Sequence, residues 1–429
     1  MTSILNRGVE SYTGQVYDSH SGNIDVTTLA DGSYIVAWSS SDVYTNGIYL
    51  RHYSANGVPL GAAFPVSDSS TVRTNPSVAA LPDGGYAVTY LDGPNHYLVT
   101  RIFSADDIGG STATYVATVS ETAATALSNG GHANAFTIPV TQGNMVAGVY
   151  ISVFSPQGTW TLTGGLMNTS GQLAVNPAIA GMDNGTIVAV WAEVAPETGS
   201  MNIYTRTFNN NGGALGAVTA VETPSPYYRI NPEIVALADG YVIIWEAETA
   251  IGGLAAYGQV MDSFGVPVGT EFALSASPFG SQTDASVAAL DDGGFAVVWS
   301  AYDNVSGTDV YVRRFDAQGH AFGQEERVNS TTFGEQNLAH VTALAGGGFV
   351  VAWNSDTGAI SSRVYSAAAS LNGNQVLYGT IDADLLDGGS GSDAMYGGWG
   401  DDTYVVNAAG DGVYEDVDSG IDTVMASIS

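Results

Sequence analysis

Residues 284–329 read DASVAALDDGGFAVVWSAYDNVSGTDVYVRRFDAQGHAFGQEERVN. An alternating stretch runs to Leu290, the turn Asp291-Asp292-Gly293-Gly294 follows, and a second alternating stretch ends at Trp299. Period-two alternation marks a half-buried strand, and Asp-Gly between two such runs is a strong hairpin signal. A polar loop, a third strand to Phe315, a turn at Ala317-Gln318-Gly319 and a fourth strand to Val328 complete the unit. The segment is expected to be one antiparallel sheet of four short strands.

The unit recurs along the chain. Its tryptophan position is read at Trp38, Tyr90, Val149, Trp191, Trp245, Trp299 and Trp353, the last four each 54 residues apart. A third-strand position recurs at Arg51, Arg101, Ser152, Arg206, Gln259, Arg313 and Arg363. Both registers count seven units. A period of this length with glycine-rich hairpins predicts an all-β fold, a seven-bladed β-propeller over residues 1–369. Unit three is expected at about 134–158, after an insertion near 105–132. Unit seven ends after its third strand, Ile360 to Tyr365, whereas Val9 to Tyr17 carries a fourth-strand pattern. The N-terminal strand is expected to complete blade seven, which would hide the edges of the ring.

Residues 378–404 depart from this pattern: YGTIDADLLDGGSGSDAMYGGWGDDTY. Asp384, Asp393 and Asp402 sit nine residues apart, and Gly379, Gly388 and Gly397 keep the same step. Glycine allows the tight turns and close backbone approach that let carbonyls face a hard cation, and the aspartates add charge. The apolar residues two places on, Leu386, Met395 and Tyr404, are expected to point inward. This segment resembles the RTX family of hemolysin-type calcium-binding repeats. The resemblance implies a short parallel β-roll over residues 370–429, with Ca2+ held between alternate turns. It implies ligands from Gly379, Ile381, Asp382 and Asp384; from Gly388, Ser390, Gly391 and Asp393; and from Gly397, Trp399, Gly400 and Asp402. Turn 379–384 pairs with 397–402 as the better site. Turn 388–393 pairs upstream with 370–375, where Gln375 replaces the aspartate and weakens the second site. The repeats with Leu81-Pro82-Asp83-Gly84-Gly85 and Arg313 through Gly319 also resemble propeller-like repeats that accompany such tails in large secreted bacterial proteins.

Composition agrees with this direction. The chain has 429 residues, with 42 acidic against 10 basic and a net charge of −32. All the basic residues are arginine. Such a balance argues against nucleic-acid partners and anionic membranes and suits cation binding. Eleven acidic residues and no arginine follow residue 370. There is no cysteine, hence no disulfide framework. No apolar run reaches the length of a membrane span, so no membrane insertion is expected. The start, MTSILNRGVESY, lacks the pattern of a cleaved secretory signal. The family resemblance implies type I secretion from a Gram-negative bacterium to the outside or the cell surface. The C-terminal residues resemble the stretch that closes such rolls. They leave open whether the chain is a fragment or carries an export signal.

No catalytic constellation stands out. The recurring tryptophan is expected to pack between blades, and the recurring arginine to pair with a backbone or acidic group there. The turns Asp31-Gly32, Asp83-Gly84, Asp239-Gly240 and Asp292-Gly293 read as hairpin chemistry. The loops after the tryptophan position carry Asp42 with Asn46, Asp92 with Asn95, Glu193 with Glu197, Glu246 with Glu248, Asp303 with Asp309, and Asp356. These would make one acidic face. Asp303 to Asp309 lacks the EF-hand spacing, and Tyr44, Asn95, His96 and Tyr302 are the residues a sugar would use. Paired carboxylates such as Glu246 and Glu248 could serve a glycosidase. No G-x-S-x-G or H-E-x-x-H motif and no ligand-spaced histidines are present. The reading is a calcium-binding secreted protein whose propeller binds a surface glycan or another extracellular partner without turnover. The alternative is an extracellular polysaccharide hydrolase or lyase using carboxylates on the propeller face, and a third reading is a structural surface component.

Overall fold

The computed structural model describes residues 5–7, 11–14, 23–40, 47–66, 72–107, 109–139, 147–156, 158–168, 171–222, 227–249, 252–276, 280–303, 307–330, 332, 334–355, 360–367, 376–378, 385–387, 392–396, 403–406, 408–414 and 420–426. All regular structure among them is β. Five four-stranded antiparallel sheets follow one another in chain order, and a nine-stranded sheet comes next. In the nine-stranded sheet, Gly307–Phe315 pairs in parallel with Gly334–Leu344 at Gly307↔Gly334 and Thr308↔Glu335. That short bridge joins two antiparallel groups into one. Leu5–Arg7 and Ser11–Gly14 both pair antiparallel with Ile360–Ala367. The rest of the expected strand Val9 to Tyr17 lies outside the described residues.

The hairpin chemistry recurs in five turns, while Asp239-Gly240 closes a tighter one in which Leu237 pairs with Gly240. Asp31, Asp83, Asn129, Asn184 and Asp292 each accept a backbone N–H two residues on, at 2.9–3.1 Å. The first glycine of the Asp-Gly-Gly turn has positive φ, 87° at Gly84 and 86° at Gly293. The second is required for a different reason. A Cβ on Gly85 would lie 2.3 Å from the Phe103 carbonyl oxygen, and one on Gly294 2.3 Å from that of Phe315. The third strand passes too close for any side chain.

Unit three is corrected by the structure. Its strands are Thr122–Ala126, His132–Ile138, Gly148–Phe154 and Trp160–Leu166. Phe136, not Val149, fills the tryptophan position; Val149 lies on the third strand opposite Thr137. The sequence Leu127-Ser128-Asn129-Gly130-Gly131 is the same turn with asparagine for aspartate, so the apparent insertion is regular sheet. Ser152 keeps its expected place, opposite Asn134.

Trp191, Trp245, Trp299 and Trp353 are fully buried between neighbouring sheets, as expected. Arg51, Arg101, Arg206 and Arg313 donate to backbone carbonyls, and Arg363 donates to Ser330 Oγ at 2.6 Å. Arg206 and Arg313 donate to the carbonyls of Met167 and Leu274 on the preceding sheet, both at 3.2 Å. Each also lies over the aromatic ring two residues on, Phe208 or Phe315. Residues of the first sheet, among them Ile24, Val36 and Trp38, pack against Leu344, Val350 and Ile360.

The tail is different in kind. Val376–Tyr378, Ala394–Tyr396 and Gly412–Tyr414 form one parallel sheet, and Leu385–Asp387, Thr403–Val406 and Thr423–Ala426 form another. Partners are 18 residues apart at Val376↔Ala394, Leu385↔Thr403 and Ala394↔Gly412. Two nine-residue turns per coil give that register. Met395 and Tyr404 are fully buried inside the roll with Val406, as their phase required. The roll comes back to the N-terminus: Leu5–Arg7 and Leu385–Asp387 approach within 8 Å, Cα to Cα.

Candidate functional site

Two places among the described residues concentrate carboxylates. The first is the roll. Of the expected calcium ligands only Asp393 lies among the described residues; Gly379, Ile381, Asp382, Asp384, Gly388, Ser390, Gly391, Gly397, Trp399, Gly400 and Asp402 lie outside them. Asp393 is buried, with 2% exposure. Its backbone N–H donates to Asp411 Oδ1 at 3.1 Å, and Ala408 N–H donates to Asp411 Oδ2 at 2.9 Å. Asp411 continues the nine-residue step of Asp384, Asp393 and Asp402. It was overlooked in the sequence because the glycines before it fall out of phase. Asp393 therefore has a carboxylate neighbour on its downstream side, whereas the upstream turn offers only Gln375. Carboxylates are hard oxygen donors, and Asp393 and Asp411 stand one 18-residue coil apart.

The second place is a channel of about 660 Å³ lined by the first strands of successive sheets. Five of these strands carry the same bulge, between Thr74 and Ser77, Val175 and Ala178, Ile230 and Glu233, Thr283 and Ser286, and Asn337 and His340. The bulge residue has positive φ in each: Asn75 53°, Asn176 50°, Asn231 48°, Asp284 53° and Leu338 51°. Asparagine and aspartate tolerate that region best, and proline, lacking N–H, follows the asparagine in three cases.

At three of the bulges a carboxylate on the preceding sheet accepts the backbone N–H of the bulge residue. Asn176 N–H donates to Glu121 Oε2 at 2.6 Å, Asp284 N–H to Glu246 Oε1 at 2.8 Å, and Leu338 N–H to Asp284 Oδ2 at 3.3 Å. Val78 N–H donates to Asp25 Oδ2 at 2.7 Å. Glu246 also accepts from Asn231 Nδ2 at 3.0 Å and is 1% exposed. Burial pushes its carboxyl up to about 7, against the opposing pull of the Asn231 amide. Burial likewise raises Asp25, with His340 opposing. Glu233 is pushed up to about 8, by burial first and the Asp25 charge second.

The expected acidic face is not assembled as read. Glu193 is buried and accepts from its own strand's Trp191 Nε1 at 2.6 Å. Asp92 pairs with Arg73 at 2.7 Å, and Asp309 accepts from Asn329 Nδ2 at 2.6 Å. Glu197, Glu248, His96 and Tyr302 are exposed and Asn95 points to Tyr97 at 3.4 Å. Asp42, Tyr44, Asn46 and Asp356 lie outside the described residues, as do 304–306 of the Asp303 loop. Of the pairs singled out, only Glu246 reaches the channel. Sequence reading missed Asp25, Glu121, Glu233 and Asp284; the repeated Asn-Pro at the third position of the first strand was the signal.

Comparison with known proteins places the two regions differently. No curated protein matches the chain. Among solved structures it is similar to a protein of unknown function from Dyadobacter fermentans DSM 18053, at 12% identity and a TM-score of 0.52 over 85% of this chain and 99% of that one. It is similar to the GH93 α-L-arabinofuranosidase of Fusarium graminearum complexed with arabinobiose, at 11% identity and a TM-score of 0.50 over 85% and 98%. That likeness is one of fold, and it identifies the antiparallel sheets as propeller-like. Residues 371–404 match the RTX calcium-binding nonapeptide repeat (4 copies), so the tail carries calcium-binding repeats.

Proposed function

We propose that this chain is a secreted calcium-binding protein in which a seven-bladed propeller, residues 1–369, is joined to a calcium-folded roll, residues 370–429. The observation that carries the reading is the 18-residue parallel register of the tail, together with its nonapeptide match. Division of the nine-stranded sheet at its two-residue parallel bridge supports a count of seven blades. Pairing of Leu5–Arg7 and Ser11–Gly14 with Ile360–Ala367 supports closure of the last blade by the N-terminus.

Eleven carboxylates and no cation-bearing side chain follow residue 370. Their mutual repulsion opposes compaction until calcium neutralises the turns, so that binding free energy becomes folding free energy. In the low calcium of a cytosol the tail stays open for type I export; outside, it folds. Ligands come from turns 379–384, 388–393 and 397–402, with the first and third forming the stronger site. The propeller presents a surface for a glycan or another extracellular partner. A hydrolase reading is favoured by one observation, the buried Glu246 carboxyl poised near neutrality. Both Glu246 oxygens already hold protein donors, which favours binding without turnover.

Hydrogen exchange of the full chain tests the calcium step. With calcium, amides of Ala394–Tyr396 and Thr403–Val406 are expected to be protected; chelation is expected to release them while strands such as Phe295–Asp303 stay protected. Equal protection of the tail in both conditions would sink the proposal.

A further inference from the structure

The strand that closes the ring and the roll meet at one place. Leu5–Arg7 ends its sheet, paired on one side with Ile360–Ala367 at Leu5↔Ala367, Asn6↔Ser366 and Arg7↔Tyr365. Leu385–Asp387 likewise ends its sheet in the roll, paired on one side with Thr403–Val406. Among the described residues neither strand pairs along its other edge. These are the two strands that approach within 8 Å, Cα to Cα. Neighbouring strands stand about 4.8 Å apart, so a third strand between them would hold them about 9.6 Å apart. No strand therefore fits between the closing strand of the ring and this strand of the roll.

The closing strand is the pairing that needs such a neighbour. Phe295–Asp303 and Gly307–Phe315 pair along nine residues each and follow one another in the chain. Leu5–Arg7 and Ser11–Gly14 offer three and four residues, and their partner Ile360–Ala367 lies at the far end of the propeller sequence. Bringing such distant segments together costs more chain entropy than closing a hairpin, and short strands paired on one side open most easily. A strand held against the open edge shields its backbone and opposes that opening. Leu385–Asp387 belongs to the part of the chain that calcium orders, and only residues 368–375 separate Ile360–Ala367 from the first roll strand, Val376–Tyr378.

We infer that calcium binding by the tail clasps the ring shut: folding of the roll sets Leu385–Asp387 against Leu5–Arg7 and stabilises the pairing of Leu5–Arg7 with Ile360–Ala367. The inference rests on the calcium-folded roll proposed above and adds a second consequence to it. Without calcium the roll strand is withdrawn, and the closing strand opens more often. With calcium the last blade is held closed. Linkage makes the effect reciprocal, so a seated closing strand strengthens calcium binding by the same factor.

Hydrogen exchange of the full chain across a calcium titration decides the matter. Amides of Leu5–Arg7 are expected to slow by about fivefold or more at saturation, with the same midpoint as Ala394–Tyr396, while Phe295–Asp303 is unchanged. Exchange at Leu5–Arg7 that ignores calcium while the tail responds overturns the clasp and leaves the calcium-folded roll standing. A tail that ignores calcium overturns both. Asn6→Pro supplies the reciprocal arm, because it takes one N–H from the closing strand whichever edge that group serves. Its calcium midpoint, read at Ala394–Tyr396, is expected to rise by about fivefold or more. Thr219→Pro, in the outer strand Thr219–Ala220 of another sheet, should leave the midpoint where it is. An unchanged midpoint in Asn6→Pro, or an equal rise in both variants, overturns the inference.

Discussion

A single bulge residue decides what each channel strand does with its backbone. At Asn75, Asn176, Asn231 and Asp284 the side chain suits positive φ, whereas Leu338 holds the same conformation without that advantage. At Asn176, Asp284 and Leu338 the N–H takes an acidic partner, so Glu121, Glu246 and Asp284 line the wall for structural reasons. Glu233 is the exception, and its titration exposes the difference. Its folded carboxyl is raised to about 8 from an ordinary 4.5, so the folded state holds the proton more tightly than the unfolded chain. That contribution to stability is complete below about pH 4.5 and is lost as pH climbs through about 8. Glu233→Gln does not titrate. Its melting temperature relative to wild type is therefore expected to rise by a few degrees between pH 5 and pH 9 at fixed calcium. A difference that stays constant or falls across that range would contradict the assignment.

At the scale of elements, the blade sheets and the roll are stabilised by unlike means. A blade strand buries a continuous apolar face: Phe295 through Trp299 are all buried. Among its described residues the roll buries Met395, Tyr404 and Val406, with Val413 partly covered. Asp411 adds a polar cap, accepting two backbone N–H groups where the repeats run out. Asp411→Ala removes both acceptors and is expected to cost the tail about 1–2 kcal/mol. The calcium-saturated tail should then open at lower denaturant, followed by exchange at Ala394–Tyr396, while the blade transition stays put. On the outer face, Tyr396 and Tyr414 stack at 4.7 Å, and a Cβ on Gly412 would lie 2.8 Å from the Tyr414 ring.

At the scale of the molecule, first and last strands are interdependent. Leu5–Arg7 and Ser11–Gly14 are partners of Ile360–Ala367, and the strand Leu5–Arg7 also approaches the roll. Removing residues 1–14 would leave an open strand edge, the usual template for association. The truncated chain is expected to melt at lower temperature and to elute as larger species in size-exclusion chromatography. An unchanged melt and a monomeric profile would argue that the ring does not depend on this pairing. The net charge of −32 opposes self-association at low salt, so the effect should grow as salt rises.

The sequence by itself determined the local rules. Alternation, Asp-Gly-Gly turns and a 54-residue spacing specify four short strands per unit, and a nine-residue step of glycine and aspartate specifies the roll. These are legible because they depend on neighbours a few residues away. Unit three was misread at Val149 because asparagine for aspartate and phenylalanine for tryptophan preserve the physics while changing the letters. The channel was decided only by tertiary structure. Asp25, Glu233 and His340 lie more than a hundred residues apart in the chain and meet because successive first strands converge on one lumen. Their chemistry arises from burial and from which backbone groups the neighbouring sheet presents. Neither is encoded in a residue's own surroundings along the chain.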